Sequence, residues 1–124
     1  MTEADQQSQL HAAEVSIREG VVLARLVGST IEEHRGKAIV AAVTTVIDQA
    51  GDATRLLVLD FAEVRFINSS GIASCIELRN DLNEKGVRTI AYRLSDELLA
   101  MFRNMKLDDL FQIAVTPADL EETS

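Results

Sequence analysis

The stretch LLVLDFAEVRFINSSGIASCIEL, residues 56–78, decides the fold of the chain. Leu56–Phe61 is an apolar run broken only by Asp60. A run this short reads as a strand covered on both faces, as at the centre of a parallel sheet. Further on the period changes. Ile72, Cys75, Ile76, Arg79 and Leu82 recur at helical spacing, toward a stop at Gly86. The two patterns meet at the polar turn Asn68-Ser69-Ser70-Gly71.

The alternation continues in both directions. Glu14–Arg18 and Val21–Val27 are β-rich and meet at Glu19-Gly20, as in a tight hairpin. Gly28-Ser29-Thr30 breaks that pattern. From Glu32 to Ala50, the residues Ile39, Ala42, Val43, Val46, Ile47 and Ala50 mark a helix, with Gly51 placed as its left-handed cap. Val87–Tyr92 is a further strand. Ser95 has the position of an N-cap, with Asp96 and Glu97 in a first turn where the helix dipole favours acids. Leu98, Leu99, Phe102 and Met105 supply that helix's apolar stripe. Leu110–Val115 is a last short strand, and Thr116-Pro117 opens a terminal helix. The predicted order is β-β-α-β-α-β-α-β-α. It describes an α/β domain, a mixed, mostly parallel sheet packed with about four helices. No repeat or linker divides the 124 residues. A single domain over 13–120 is expected between a flexible N-terminal segment, 1–12, and a C-terminal tail, 121–124.

Twelve Lys and Arg against twenty Asp and Glu give a net charge of −8. That balance argues against nucleic-acid binding, which draws its non-specific affinity from cations on phosphate. It equally disfavours an anionic membrane surface. The opening residues lack the basic and apolar regions of a signal peptide, and no run is long enough to span a bilayer, so a cytoplasmic protein without membrane insertion is expected. Cys75 is the single cysteine, which excludes an internal disulfide and a cysteine-rich metal site.

Catalytic chemistry finds little support. The serine windows do not fit the G-x-S-x-G elbow, and His11 and His34 are the only imidazoles. The six glycines are scattered singly, so neither G-x-G-x-x-G nor a P-loop is present. Asp108-Asp109 and Glu32-Glu33 read as solvated helix-end charges, and Cys75 as a small core residue. No catalytic residue, metal site or cofactor is expected. For the serine pair, residue chemistry alone favours a helix N-cap. It also allows a modification site, because one cap needs only one serine. A phosphoryl group there would add about −1.5 to −2 charges at the positive end of a helix dipole.

Phe66, Ile67, Asn68, Ser69, Ser70, Gly71, Ile72 and Ala73 resemble the F-[IM]-D-S-S/T-G-[IL]-G signature of STAS domains, especially bacterial anti-sigma factor antagonists. Leu26-Val27-Gly28 matches the family's segment after the second strand. Leu94-Ser95, Leu98, Phe102, Met105, Leu107, Leu110 and Phe111 look like its final helix and ending. The resemblance spans roughly 14–115. It implies a binding switch: the unphosphorylated antagonist binds an anti-sigma factor that is itself a serine kinase, and a serine phosphatase reverses the kinase's modification. The phosphorylated position is Ser69, with Ser70 the second candidate and the more natural cap. The partner-binding surface it implies comprises Asn68, Ser69, Ser70, Gly71, Ile72 and Ala73, with Gly28, Glu32 and Glu33 beside them. ATP belongs to the kinase, so no cofactor is implied. Two positions depart from the pattern. Asn68 stands where the family carries an acid, and Gly28-Ser29-Thr30-Ile31 lacks the Asp of G-x-[LIV]-D. Asn68 motivates an alternative job on the same fold, that of a non-switching adaptor such as a stressosome-like scaffold or a lipid-transport ATPase accessory subunit.

Overall fold

In the computed structural model, residues 11–123 are described. The strands are β1 (Ala13–Arg18), β2 (Val21–Leu26), β3 (Thr30–Ile31), β4 (Leu56–Asp60), β5 (Phe66–Ile67), β6 (Arg88–Tyr92) and β7 (Gln112–Ala114). The α-helices are α1 (Glu33–Ala50), α2 (Ser69–Glu84), α3 (Asp96–Asn104) and α4 (Pro117–Thr123). The main sheet has the order β1-β2-β4-β6-β7. Its first pair is antiparallel and the other three are parallel, as the alternation of strands and helices demands.

Glu19 and Gly20 both have positive φ, 52° and 82°, which suits the two-residue turn that twists with its strands. In β4, alternation explains the unbroken apolar run. Leu57 and Leu59 join the core shared with Ile39 and Val43 of α1, Cys75 and Leu78 of α2, and Phe102 of α3. Leu56 and Val58 point to the opposite face, with Ile90, Tyr92, Ala114 and half-buried Leu120 of α4. Phe61, Phe102 and Phe111 meet edge-on or tilted, with centroids 5.8 Å apart in each contact. Asp60 ends the central strand as a buried carboxylate. Arg93 Nε donates to its Oδ1 at 3.1 Å, Arg93 Nη2 donates to Oδ2, and the Ala62 N–H donates to Oδ1. That clamp ties the end of β4 to the residue after β6.

Several sequence expectations shift. A second, two-stranded ladder pairs β3 with β5 in parallel, Thr30 with Phe66 and Ile31 with Ile67. Gly51 does have positive φ, but its ψ of −140° lies outside the left-handed helical region, because the chain runs on into a 3-10 turn over Gly51–Ala53. Met105 is exposed rather than part of the α3 stripe, since it is the C-cap after the last turn, and Met101 packs against the core instead. The expected leading segment lies largely outside the described residues. Ala12, however, is buried, and its carbonyl accepts from the Val27 N–H. At the other end, α4 runs through Glu121 to Thr123.

The helices α1 and α2 lie side by side where glycine permits it. A Cβ built on Gly36 would stand 2.7 Å from Ser74 Oγ and 2.9 Å from Ser74 Cβ. One on Gly71 would meet the Ile31 carbonyl oxygen at 2.7 Å and Ile67 Cγ1 at 2.9 Å. Backbone cannot move aside as a side-chain tip can. Gly71→Ala is therefore expected to destabilise the fold by about 1–3 kcal/mol despite alanine's better helix propensity. Urea unfolding read by circular dichroism would show this as a lower midpoint with an unchanged slope.

Candidate functional site at the paired helix starts

The polar turn after β5 is built from two chain segments. Ser29 carbonyl accepts from the N–H groups of Arg65 (2.7 Å) and Phe66 (3.0 Å), and Ile31 carbonyl accepts from that of Asn68 (3.1 Å). The segment from Gly28 to Glu32 is thereby fastened along the segment that leads into α2. Because Ile31 stands level with Ile67, the first residues of α1 and α2 come out next to each other. Gly28 turns this segment with a φ of +98°, beneath Arg35, whose Nη1 donates to the Val27 carbonyl at 2.8 Å.

Each helix start carries a side-chain cap. Neither cap is a serine. Asn68 has extended backbone and its Oδ1 accepts from the Gly71 N–H at 2.8 Å. Ser69 and Ser70 are the first two helical residues, both exposed. The sequence expectation that one serine, Ser70 in particular, caps the helix is thus corrected. An amide one position earlier satisfies the orphan donor, so the helix start requires neither hydroxyl. The cap of α1 is Glu32, whose carboxylate accepts from the backbone N–H groups of Arg35 (2.9 Å) and His34 (2.8 Å). Those bonds, Arg35 first, hold its carboxyl below the usual carboxylate range. Glu33 is exposed and pairs with Lys37 at 3.2 Å.

The structure brings together every position singled out in the sequence, with different exposures. Ser69, Ser70, Ala73 and Glu33 are exposed, while Asn68, Gly28 and Glu32 are half-buried. Gly71 and Ile72 are buried beneath the turn. Phe66 was matched only as part of a motif. Alternation within β5 sends Ile67 inward and leaves Phe66 outside. Two clefts, of about 410 and 230 Å³, lie toward the opposite end of the sheet and include none of these residues. Cys75 is buried, and loss of hydration pushes its thiol up to about 12, so it stays protonated in the core. Among the described residues no group of three His, Cys, Asp or Glu side chains could hold a metal ion, and no helix is long and apolar enough to cross a membrane.

Two consequences of the caps are measurable. Asn68→Ala is expected to lower stability by about 0.5–2 kcal/mol, whereas Ser70→Ala stays within about 0.5 kcal/mol of the parent in the same denaturation assay. The depressed acidity of Glu32 gives a pH signature. Its contribution is fully present above the carboxyl's ordinary 4.5 and is lost as pH falls through the lower folded value. Glu32→Gln should therefore flatten the acid limb of a stability–pH curve below about pH 4.5.

Comparison with known proteins agrees with this geometry. The family model described as STAS domain matches residues 12–120. The anti-sigma factor antagonist SpoIIAA in its unphosphorylated form is 22% identical, with a TM-score of 0.71 over 90% of this chain and 95% of its own. The Bacillus cell fate determinant SpoIIAA in the phosphorylated form is 20% identical, with a TM-score of 0.67 over 91% and 100%. An anti-sigma-factor antagonist (STAS) domain protein from Planctomyces limnophilus is 14% identical, with a TM-score of 0.73 over 87% and 92%. At these identities the solved structures establish the shared fold, and the family model supplies the membership. The chain belongs to the STAS domain family.

Proposed function

We propose that this chain is an anti-sigma factor antagonist of the cytoplasm. It binds an anti-sigma factor with serine kinase activity while Ser69 is unmodified, releases it once Ser69 is phosphorylated, and is restored by a serine phosphatase. The observation that carries this reading is the exposed Ser69 at the first position of α2, at the serine position of the family motif. A neighbour of the same fold, SpoIIAA, is described both as an anti-sigma factor antagonist and in phosphorylated and unphosphorylated forms, which supports extending such a cycle to this chain.

The local physics fits a site that gains and loses a phosphoryl group without refolding. Added at Ser69, the group would bring about −1.5 to −2 charges to the positive end of the α2 dipole, which favours anions. The helix start does not depend on that hydroxyl, because Asn68 provides the cap. Asn and Asp cap helices about equally well, so the amide keeps the turn that the family's acid would build. A partner seated over the turn would face the opposite situation, having to bury a dianion. The chain's own part is to present the serine; ATP and the transfer chemistry belong to the kinase.

Incubation with a GHKL-type serine kinase partner and ATP should add one phosphoryl group at Ser69. Ser69→Ala should abolish the addition and Ser70→Ala should not. By calorimetry, Ser69→Asp should bind that kinase at least about tenfold more weakly than Ser69→Ala does. Equal binding of the two variants would overturn the switch and leave the non-switching adaptor as the reading of this fold.

A further inference from the structure

Three of the four phenylalanines form the aromatic part of the core, each 1% exposed. The fourth, Phe66, is 59% exposed, more than any other large apolar side chain among the described residues. It stands on β5, opposite Thr30, two residues before the Asn68 cap. A ring more than half exposed beside a polar turn contributes little to the core. In a protein contact it would be a typical anchor, since aromatic residues dominate the energetics of interface centres.

The charge pattern around it is as informative. Residues 66–76 form the longest stretch of the sequence without Asp, Glu, Lys or Arg, in a chain that is 26% charged. The segment lying alongside, 26–31, is also uncharged. The ladder between Thr30-Ile31 and Phe66-Ile67 merges the two stretches into one surface. Its exposed members are Ser29, Thr30, Phe66, Ser69, Ser70 and Ala73. Charged side chains border these stretches at Arg65, Glu32 and Glu33, and the half-buried Arg35 lies over Gly28 at one side, its Nη1 donating to the Val27 carbonyl. An exposed aromatic with few Lys, Glu or Asp side chains around it is a feature shared with protein interface cores. It suits neither a nucleic acid nor an anionic membrane.

We infer that Phe66 is the aromatic anchor of this surface, seated in an apolar pocket of the anti-sigma partner. Around that pocket the contact is uncharged and largely dry, an inference that rests on the reading of Ser69 given above. It also specifies how the switch works. A phosphate on Ser69 breaks the contact chiefly because a charge must be stripped of water inside an otherwise uncharged patch. Repulsion by acids of the partner is secondary.

The test uses the intact chain and the purified kinase that phosphorylates Ser69. Phe66→Ala should weaken binding by at least about tenfold while its thermal unfolding matches the parent, because the ring is exposed in the free protein. Phe66→Leu should recover part of the affinity. Binding by Phe66→Ala within about twofold of the parent would overturn the anchor even where the Ser69 switch operates. Raising the salt from about 0.05 to 0.5 M should leave the Ser69→Asp defect in place, since screening weakens charge repulsion but does not remove a desolvation cost. Recovery of Ser69→Asp binding at high salt would overturn the dry contact in favour of repulsion. A parent chain that binds no kinase at all would overturn the Ser69 reading itself, whatever Phe66 does.

Discussion

The serine turn exists in its present form because two helices meet where there is no room for a side chain. Gly71 lies against the carbonyl of Ile31, and Gly36 lies against Ser74, at distances that any Cβ would violate. This contact fixes the first turn of α2 beside the first turn of α1. The β3–β5 ladder then sets their level, residue against residue. Everything exposed at the site follows. Gly71 and Ile72 are drawn under the surface, and the helix period brings Ser69 and Ala73 out on the other side. The glycine of the S-S-G motif is thus a packing requirement, and the serines are displayed by virtue of it.

How much of this could be read in the sequence depended on whether the signal was local. The strand Leu56–Asp60, the hairpin at Glu19-Gly20, the cap at Ser95 and the Thr116-Pro117 helix start all rest on nearest neighbours and periodicity, and all appear in the structure. The ladder of β3 and β5 is different. Each strand is two residues long, and each exists only because a distant segment lies beside it. No period can be recognised in two residues. Gly51 and Met105 went astray for a related reason. Both sit just past a helix end, where tertiary contacts rather than pattern decide the conformation.

The site shows the same division. That a helix begins near the serines was legible. Which residue caps it was not, since Asn, Ser and Asp are nearly equivalent as caps and four consecutive residues offered three candidates. Burial of Gly71 and Ile72, by contrast, could have been inferred. Ile72 opens the apolar series of α2, and glycine within the first turn of a helix signals a close approach. Phe66 carried a signal too. In a strand, alternation places neighbours on opposite faces, so an inward Ile67 implies an outward Phe66.

The two caps also bear on the amide at position 68. Parallel neighbours in a ladder lie about 5 Å apart, and Glu32 follows Ile31 just as Asn68 follows Ile67. An aspartate at 68 would therefore bring a second carboxylate close to Glu32, each capping its own helix. The two like charges would work against one another, offsetting part of what each gains from its helix dipole. With glutamate supplying the charge at α1, asparagine can cap α2 with the same geometry and without that repulsion. Between the two caps Ile31 is fully buried and its carbonyl accepts from the Asn68 N–H, and the next residue, Glu32, caps α1. Two carboxylates, the Glu32 cap and the Lys37-paired Glu33, thus stand at the start of α1, at the edge of the uncharged stretches 26–31 and 66–76.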